Sequence, residues 1–211
     1  MRSIAIIPAR SGSKGLPDKN ILKLKDKPLL AYSVEAALES EEFAVVHVST
    51  DSPIYADIAR QFGADEPFLR SEETSSDIAS SEDAIREVLR RYQERGVTFD
   101  TFMLLQPTSP LRTAEDIHAA FALLKEKNAD SVISVCEMDH SPLWCNTLPE
   151  DGNMHDFIRI GAIYLVKTDF FQRTDRLYGE NTYAYKMPTG RSVDIDCRTD
   201  FLIAEALLGN V

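Results

Sequence analysis

Basic residues and glycines are interleaved in a loop near the start of the chain, within the segment IIPARSGSKGLPDKN. Apolar residues 3–7 predict a short buried strand before this loop, and Pro8 ends it. The loop contains two glycines and three cations: Gly12, Gly15, Arg10, Lys14 and Lys19. Glycine lets a backbone approach a ligand with its N–H groups directed inward, and cations attract a polyanion. The loop therefore predicts a triphosphate site, with a solvated basic loop as the alternative, although it matches neither GxxxxGK[ST] nor GxGxxG.

Two aspartates near the other end of the chain, in SVDIDCRTDF, form a second candidate site. Alternation along an extended segment places Asp194 and Asp196 on one face and directs Ile195 into the core. Adjacent carboxylates repel each other unless a cation or a proton lies between them. Mg²⁺ binds through one or two carboxylates together with substrate phosphates. Taken alone, the two aspartates are equally consistent with a magnesium site and with the solvated face of an edge strand. The presence of a phosphate loop in the same chain favours the magnesium site.

A third candidate is the segment LLQPTSPLR, in which a buried strand ends at Gln106 and two prolines make the following loop rigid. Gln106 would bind a sugar hydroxyl or carboxylate, or satisfy loose backbone groups at the strand end. Arg112 would bind an anion, or pair with Glu115 or Asp116 in the next turn.

The serine-rich and acidic stretch from Arg70 to Ala84 has a structural interpretation of its own. Ser80 or Ser81 would cap the helix that follows. Arg70 and Ser81 become functional only if this loop folds over a nucleotide, so capping is the favoured interpretation of the stretch by itself.

Short apolar runs alternate with amphipathic segments along the chain. Strands are predicted at 3–7, 45–49, 102–106, 131–136 and 162–166, and helices at 29–38, 53–62, 81–94, 114–125 and about 200–208. This alternation predicts an α/β fold with a mostly parallel sheet covered by helices on both faces. Ligands collect at the carboxyl ends of such strands. Residues 137–160 break the pattern and predict a hairpin or flap.

Charge and composition exclude several classes of protein. The first 27 residues hold seven Lys or Arg against two Asp, although the chain as a whole carries −11, so nucleic acid and anionic membranes are poor partners. With 211 residues the chain can form a single domain, 1–211, and no apolar run approaches the roughly 20 residues of a membrane span. The chain has three cysteines without CxxC spacing, and we expect no signal peptide before Ile4, so we predict a cytoplasmic protein. The four histidines are scattered along the chain, which argues against a zinc site.

The segments IIPARSGSKGLPDKN, LLQPTSPLR, GAIY and SVDIDCRTDF occur in this order between Ile4 and about Leu208. In this the chain resembles the acylneuraminate cytidylyltransferases, also called CMP-sialic acid synthetases. The resemblance implies a three-layer αβα, Rossmann-like nucleotide-sugar transferase fold. It also implies Mg²⁺-dependent transfer of CMP from CTP to the anomeric hydroxyl of a nine-carbon 2-keto sugar acid, with release of pyrophosphate. The alternatives are a related enzyme for another sugar acid, such as the eight-carbon Kdo, and a catalytically silent nucleotide-binding homologue.

The resemblance also implies roles for individual residues. The triphosphate would be held by Arg10, Lys14 and Lys19. Cytidine would be surrounded by Asn20, Arg70, Ala79 and Ser81. The sugar acid would contact Gln106, Arg112, Tyr164 and Tyr178, of which Tyr178 rests only on its spacing from the aspartate pair. Mg²⁺ would be bound by Asp194 and Asp196, and these with Arg10 and Lys19 would form the catalytic set.

The sequence departs from the family pattern around residues 145–161. Many members have an Arg-Arg-Gln type segment there, within an extension that completes the sugar pocket of the neighbouring subunit, and an Asn before GAIY. Here the segment is shortened, the basic cluster is missing, and Ile160 precedes Gly161. We therefore expect weak sugar affinity and a weaker homodimer contact than is usual for the family.

Overall fold

The fold is described by a computed structural model that covers residues 1–12, 16–65, 68–76, 79–136 and 163–208. The strands are β1 (Ser3–Pro8), β2 (Lys23–Leu24), β3 (Lys27–Pro28), β4 (Val45–Ser49), β5 (Thr101–Leu105), β6 (Ser131–Val135), β7 (Ile163–Lys167) and β8 (Thr182–Lys186). The helices are α1 (Leu29–Glu39), α2 (Pro53–Gln61), α3 (Glu72–Ser75), α4 (Ser81–Glu94), α5 (Ala114–Glu126), α6 (Thr168–Thr174) and α7 (Arg198–Leu207), with short 3₁₀ helices at Lys19–Ile21 and Thr189–Arg191.

The central sheet has the strand order β4-β1-β5-β7-β6-β8. Strand β1 is parallel to both β4 and β5, and β6 is parallel to β8, whereas β7 runs antiparallel to β5 and β6. The predicted mostly parallel sheet is therefore confirmed, with β7 as the reversed strand. Because β4, β1 and β5 point the same way, their carboxyl ends share one edge of the sheet.

Helices cover both faces of this sheet, which confirms the three-layer αβα prediction. Alternate residues of β1 separate the two faces: Ala5 and Ile7 pack with residues of α1, α2 and α5, whereas Ile4 and Ile6 pack with residues of α4 and α6. All four side chains are fully buried. Strands buried on both faces must be continuously apolar, so polar chemistry is confined to the loops at their ends.

Side-chain caps begin the helices α2, α4 and α5. Ser52 accepts a hydrogen bond from the third residue of α2, which begins with a proline. Thr113 with Asp116, and Ser80 with Asp83, form capping boxes at the starts of α5 and α4. Ser80 is therefore the cap of α4, so Ser81 is not needed for capping.

Several elements differ from the sequence prediction. The edge strand β8, the short helices α3 and α6, and the β2–β3 hairpin were not predicted; exposed residues dominate β8, and α6 has only seven residues. The predicted hairpin or flap at 137–160 lies outside the described residues. In the described part of the chain, no helix is long and apolar enough to cross a membrane.

A buried histidine makes the fold sensitive to acid. His47, on β4, is 1% exposed and packs against the rings of Phe68 and Tyr92 at centroid distances of 4.8 and 5.6 Å. Burial lowers the pKa of His47 to about 3, against roughly 6.5 in an unfolded chain. Below about pH 6.5 the unfolded state therefore binds a proton that the folded state refuses, and stability falls as the pH falls from there towards 3.

We expect His47 to account for a loss of about 2 kcal/mol in the free energy of unfolding between pH 7 and pH 5. His47→Phe keeps a ring between its aromatic neighbours and should remove that part of the pH dependence, as measured by urea unfolding at both pH values. Val88→Ala, which creates a small cavity in the core without changing a titratable group, serves as the control and should keep the pH dependence of the wild type. Equal pH dependence in His47→Phe and the wild type would contradict the assignment.

Candidate functional site

A cavity of about 230 Å³ opens at the carboxyl ends of β1 and β5. The register pairs Ile6 with Leu104, so the residues that follow the two strands emerge side by side. Seven of the residues predicted from sequence line this cavity: Arg10, Lys19, Asn20, Arg70, Ala79, Ser81 and Gln106. Residues from distant parts of the chain thus form one mixed cationic and polar surface at the sheet edge where ligands are expected.

A larger cleft of about 410 Å³ lies at the opposite end of β5, around Thr101 and Thr168. None of the predicted site residues lines it. The smaller cavity is the better candidate because cationic side chains converge there, which makes it suited to a polyanionic ligand.

The basic loop after β1 is anchored on both sides to the β4–α2 region. Asp51 accepts hydrogen bonds from the backbone N–H and the hydroxyl of Ser11, at 2.8 and 2.7 Å. At the far side, the hydroxyl of Tyr55 donates to Asp18 at 2.8 Å, and burial and this carboxylate raise the pKa of Tyr55. Residues 13–15, with the predicted phosphate ligand Lys14, lie outside the described residues. Ser11 and Asp18, on either side of residues 13–15, are thus each held in place.

Two guanidinium groups lie close together beside the cavity. Arg10 donates from Nη1 to the carbonyl of Ser76 at 3.0 Å, and Arg70 donates from Nη2 to the carbonyl of Thr74. The Nε of Arg70 is buried and has no hydrogen-bond partner in the described part of the chain. Burial lowers the pKa of Arg70, and the positive charge of Arg10 lowers it further. The negative charge of Glu87 acts in the opposite direction and raises this pKa. The two cations together make this wall of the cavity suited to an anionic group of a ligand.

The buried carboxylate of Glu87 on α4 holds the segment that carries these carbonyls. It accepts hydrogen bonds from the backbone N–H and hydroxyl of Ser71, both at 3.1 Å, and from the hydroxyl of Thr74. Arg91 pairs with it from one turn further along the helix, at 3.1 Å. The 71–76 segment is thereby fixed against the start of α4, where Ser81 reaches the cavity wall.

The side chain of Lys19 joins the basic loop to the two aspartates near the end of the chain. Its Nζ donates to the carbonyl of Ile195 at 2.6 Å and lies 3.5 Å from Oδ1 of Asp196. Ile195 is fully buried, whereas Asp194 and Asp196, hereafter the carboxylate pair, are exposed, as the alternation predicts. The pair lies between a 3₁₀ helix and α7, so the edge-strand alternative is not observed.

The carboxylate pair fits a metal ion that is shared with a ligand. Within the described residues, no group of three or more His, Cys, Asp or Glu side chains could hold a metal ion by itself. Two exposed carboxylates beside a cationic cavity nevertheless match the requirement of Mg²⁺ for one or two protein carboxylates, completed by phosphate oxygens and water.

Arg112 lies beneath the loop after β5. It is 3% exposed and donates to the backbone carbonyl of Gln106 at 2.9 Å and to the hydroxyl of Ser33 at 3.2 Å. Burial lowers the pKa of Arg112 to about 10, and Asp116 opposes the shift. Arg112 is not among the residues that line the cavity, in contrast to Gln106, because its guanidinium is turned into the protein. Its predicted contact with a substrate stays a prediction, and the geometry gives it a supporting position under Gln106.

Tyr164 on β7 and Tyr178 lie on the side of the carboxylate pair. Burial raises the pKa of Tyr164, and so do the negative charges of Asp194 and Glu82 and the phenol of Tyr178. Tyr178 is 56% exposed. Tyr164 therefore lies within electrostatic reach of Asp194, and the contact of the two phenols with a sugar stays a prediction.

Sequence reasoning missed the residues that support the site. Asp51, Tyr55, Glu87 and Arg191 were not identified, and Asp116 was considered only as a partner of Arg112. Asp51 carried a usable signal, because it lies two residues after β4, at the ligand-binding edge. For the others, the contacts that support the site join residues 16 to 75 positions apart, so no local pattern indicates them.

Two solved structures share the fold. The CMP:2-keto-3-deoxy-manno-octonic acid synthetase complexed with CTP superimposes with a TM-score of 0.75 at 19% identity, covering 100% of this chain and 99% of that one. The 4-diphosphocytidyl-2C-methyl-D-erythritol synthase from Anaerococcus prevotii gives 0.70 at 13% identity, covering 99% and 98%. At these identities the likeness shows the architecture alone.

Sequence relatives are more informative. The CMP-N,N'-diacetyllegionaminic acid synthase of Legionella pneumophila is 36% identical over 225 residues, which cover 99% of this chain and 97% of that protein. The N-acylneuraminate cytidylyltransferase of Escherichia coli is 39% identical over 95% of this chain, but the match spans only 51% of that protein. The cytidylyltransferase family model matches residues 4–149. Because this model matches more than half of the chain, the chain belongs to the cytidylyltransferase family.

Proposed function

We propose that the chain transfers CMP from CTP to the anomeric hydroxyl of a nonulosonic acid, a nine-carbon 2-keto sugar acid, and releases pyrophosphate. The observation that carries this proposal is the contact of Lys19 with Ile195 and Asp196, which joins the phosphate-binding loop to the carboxylate pair. The names of the Legionella and E. coli relatives support the sugar class.

The triphosphate would lie in the cavity against Arg10 and Lys19, and Arg70 would face the cytidine. Lys14 remains a proposed phosphate ligand outside the described residues. Asn20, which is 6% exposed and donates to the carbonyl of Arg10 at 3.1 Å, would form the wall against the cytidine with Ala79 and Ser81.

The carboxylate pair would bind Mg²⁺, which supplies positive charge to the phosphates. The chain's own residues act by position and charge. Gln106 and the two phenols, Tyr164 and Tyr178, would orient the sugar so that its anomeric oxygen lies in line with the α-phosphorus. The ammonium of Lys19 would offset negative charge that develops on the departing pyrophosphate.

We also propose a cytoplasmic location and a weakened homodimer. The exposed free thiols of Cys136 and Cys197 suit a reducing compartment. The dimer would form through the shortened 137–160 segment, which lies outside the described residues, so sedimentation at micromolar concentration is the measurement that decides this point.

The proposed reaction predicts pyrophosphate release from CTP with at least one acid in a panel of N-acetylneuraminate, Kdn, N,N'-diacetyllegionaminate and pseudaminate. Kdo and the other three nucleoside triphosphates are the comparison substrates and should give much lower rates. Preference for Kdo would move the chain to the related eight-carbon class, and no turnover with any acid would support the catalytically silent alternative.

Asp194→Asn and Asp196→Asn should each lower Mg²⁺-dependent turnover by about a hundredfold or more while leaving the melting temperature near that of the wild type, because both side chains are exposed. Asp169→Asn is the matched control, since this carboxylate on α6 is 72% exposed and remote from the cavity lining. Near-full activity of either variant at limiting Mg²⁺ would show that the pair is not the metal site.

Arg70→Lys keeps the positive charge but loses the Nε donor, and we expect it to weaken CTP binding about tenfold in a calorimetric titration. Arg173→Lys on α6, 66% exposed, tests the same change away from the cavity and should bind CTP as the wild type does. Unchanged CTP affinity in Arg70→Lys would make the orphan Nε irrelevant to the nucleotide.

A further inference from the structure

A buried carboxylate on α5 receives five hydrogen bonds, one of them from the hydroxyl of Thr113 at 3.3 Å. Asp116 is 0% exposed and accepts from Nε and Nη2 of Arg191, at 2.9 and 2.8 Å, one to each carboxylate oxygen. The hydroxyl of Tyr185 donates to it at 2.8 Å, and the backbone N–H of Thr113 at 3.1 Å. Asp116, Arg191 and Tyr185 are named here the Asp116 clamp.

The clamp is ionic. Burial works to raise the pKa of Asp116, but hydrogen bonds from Arg191, Thr113 and Tyr185 outweigh it and the pKa is lowered. Replacing a buried ion pair by apolar side chains is often neutral or stabilising, so stability alone does not explain why this pair is here. What a two-pronged pair does provide is a fixed direction for the guanidinium and for the backbone that carries it.

That backbone leads directly to the carboxylate pair. Arg191 ends the 3₁₀ helix Thr189–Arg191, three residues before the first aspartate of the pair. Between the two aspartates, the N–H of Ile195 donates to the carbonyl of Thr108 at 2.8 Å. The 192–195 connection is therefore attached at the clamp and again at Ile195, and the first aspartate lies between these attachments.

The second aspartate of the pair is held from the other side. The N–H groups of Asp196 and Cys197 donate to Oδ2 of Asp200, at 3.0 and 2.8 Å, in the cap of α7. This attachment is local in sequence, whereas the clamp reaches across 75 residues to a helix in the outer layer. The clamp is thus one of the long-range contacts that tie the carboxylate pair to the main body of the fold, together with the bonds of Ile195 to Thr108 and Lys19.

We propose that the Asp116 clamp is a positioning device for the carboxylate pair, which sets where Asp194 stands relative to the cavity. The proposal rests on the proposed function, because the pair matters only if it binds a metal with the triphosphate. Groups that orient metal ligands without touching the metal affect metal affinity by about 10- to 100-fold when removed.

Three variants test the clamp in the full chain: Arg191→Lys removes the two-pronged contact, Tyr185→Phe removes one hydrogen bond, and Asp116→Asn removes the charge. For Arg191→Lys we expect the Mg²⁺ concentration for half-maximal turnover to rise about tenfold, with kcat at saturating Mg²⁺ within about threefold of wild type. Tyr185→Phe should show a smaller rise in the same direction. Mn²⁺ titrations followed by electron paramagnetic resonance, with α,β-methylene-CTP bound, should give parallel shifts in affinity.

A matched destabilised variant separates positioning from loss of structure. Val88→Ala in α4 opens the core on the other face of the sheet, where Val88 is 1% exposed. It should lower the melting temperature and leave the half-saturating Mg²⁺ concentration unchanged. If Asp116→Asn fails to fold, the other two clamp variants decide. The proposal is overturned if folded Arg191→Lys keeps wild-type Mg²⁺ and Mn²⁺ dependence, or loses kcat alone.

Different experimental results would reject the proposed role of the clamp and the proposed function. If the wild type releases no pyrophosphate with any of the acids, the proposed function is rejected. The Mn²⁺ titration would still test the role of the clamp. Absence of any Mn²⁺ binding by the wild type with the nucleotide analogue would reject the metal assignment and the clamp together.

Discussion

The contact between the ammonium of Lys19 and the carbonyl of Ile195 joins two segments that are 176 residues apart. Without it, the basic loop and the carboxylate pair would be separate surface features with opposite charge. With it, Asp196 lies 3.5 Å from the same ammonium, so cations and carboxylates face one ligand volume. This juxtaposition suits a triphosphate that carries a divalent ion, because the phosphates complement the cations and the ion complements the carboxylates.

The architecture explains why such distant residues meet. Strands β1 and β5 are neighbours with the same direction, so the loops after them emerge together at one edge of the sheet. Both faces of the strands are covered by helices, which leaves the strand ends as the place where polar groups can reach a ligand. The reversed strand β7 begins at the same edge, so Tyr164, its second residue, lies there beside Leu104 of β5.

The parts that the sequence predicts are those whose signal is local. The strands β1, β4 and β5 are apolar runs bounded by turn residues, and the basic loop and the carboxylate pair are each contained within a few positions. Strand β8 was missed because an edge strand with mostly exposed residues has no apolar pattern. The supporting carboxylates were missed for another reason. Asp116 and Arg191 are 75 residues apart, and nothing near either residue indicates the other. Which of several charged residues pair is decided by the topology, not by neighbours in the chain.

Some of the acidic residues of the chain hold the loops of the candidate site in place. Loops at the sheet edge cannot be held by the hydrogen bonds of the sheet, so their backbone donors need other acceptors. Carboxylates supply them: Asp51 at the start of the basic loop and Glu87 at the 71–76 segment. Asp116 instead holds the side chain of Arg191, behind the connection to the carboxylate pair. Each carboxylate accepts several hydrogen bonds at once, which a neutral side chain does less strongly. The charged groups that line the cavity are cationic, and the acids behind them keep the loops in place.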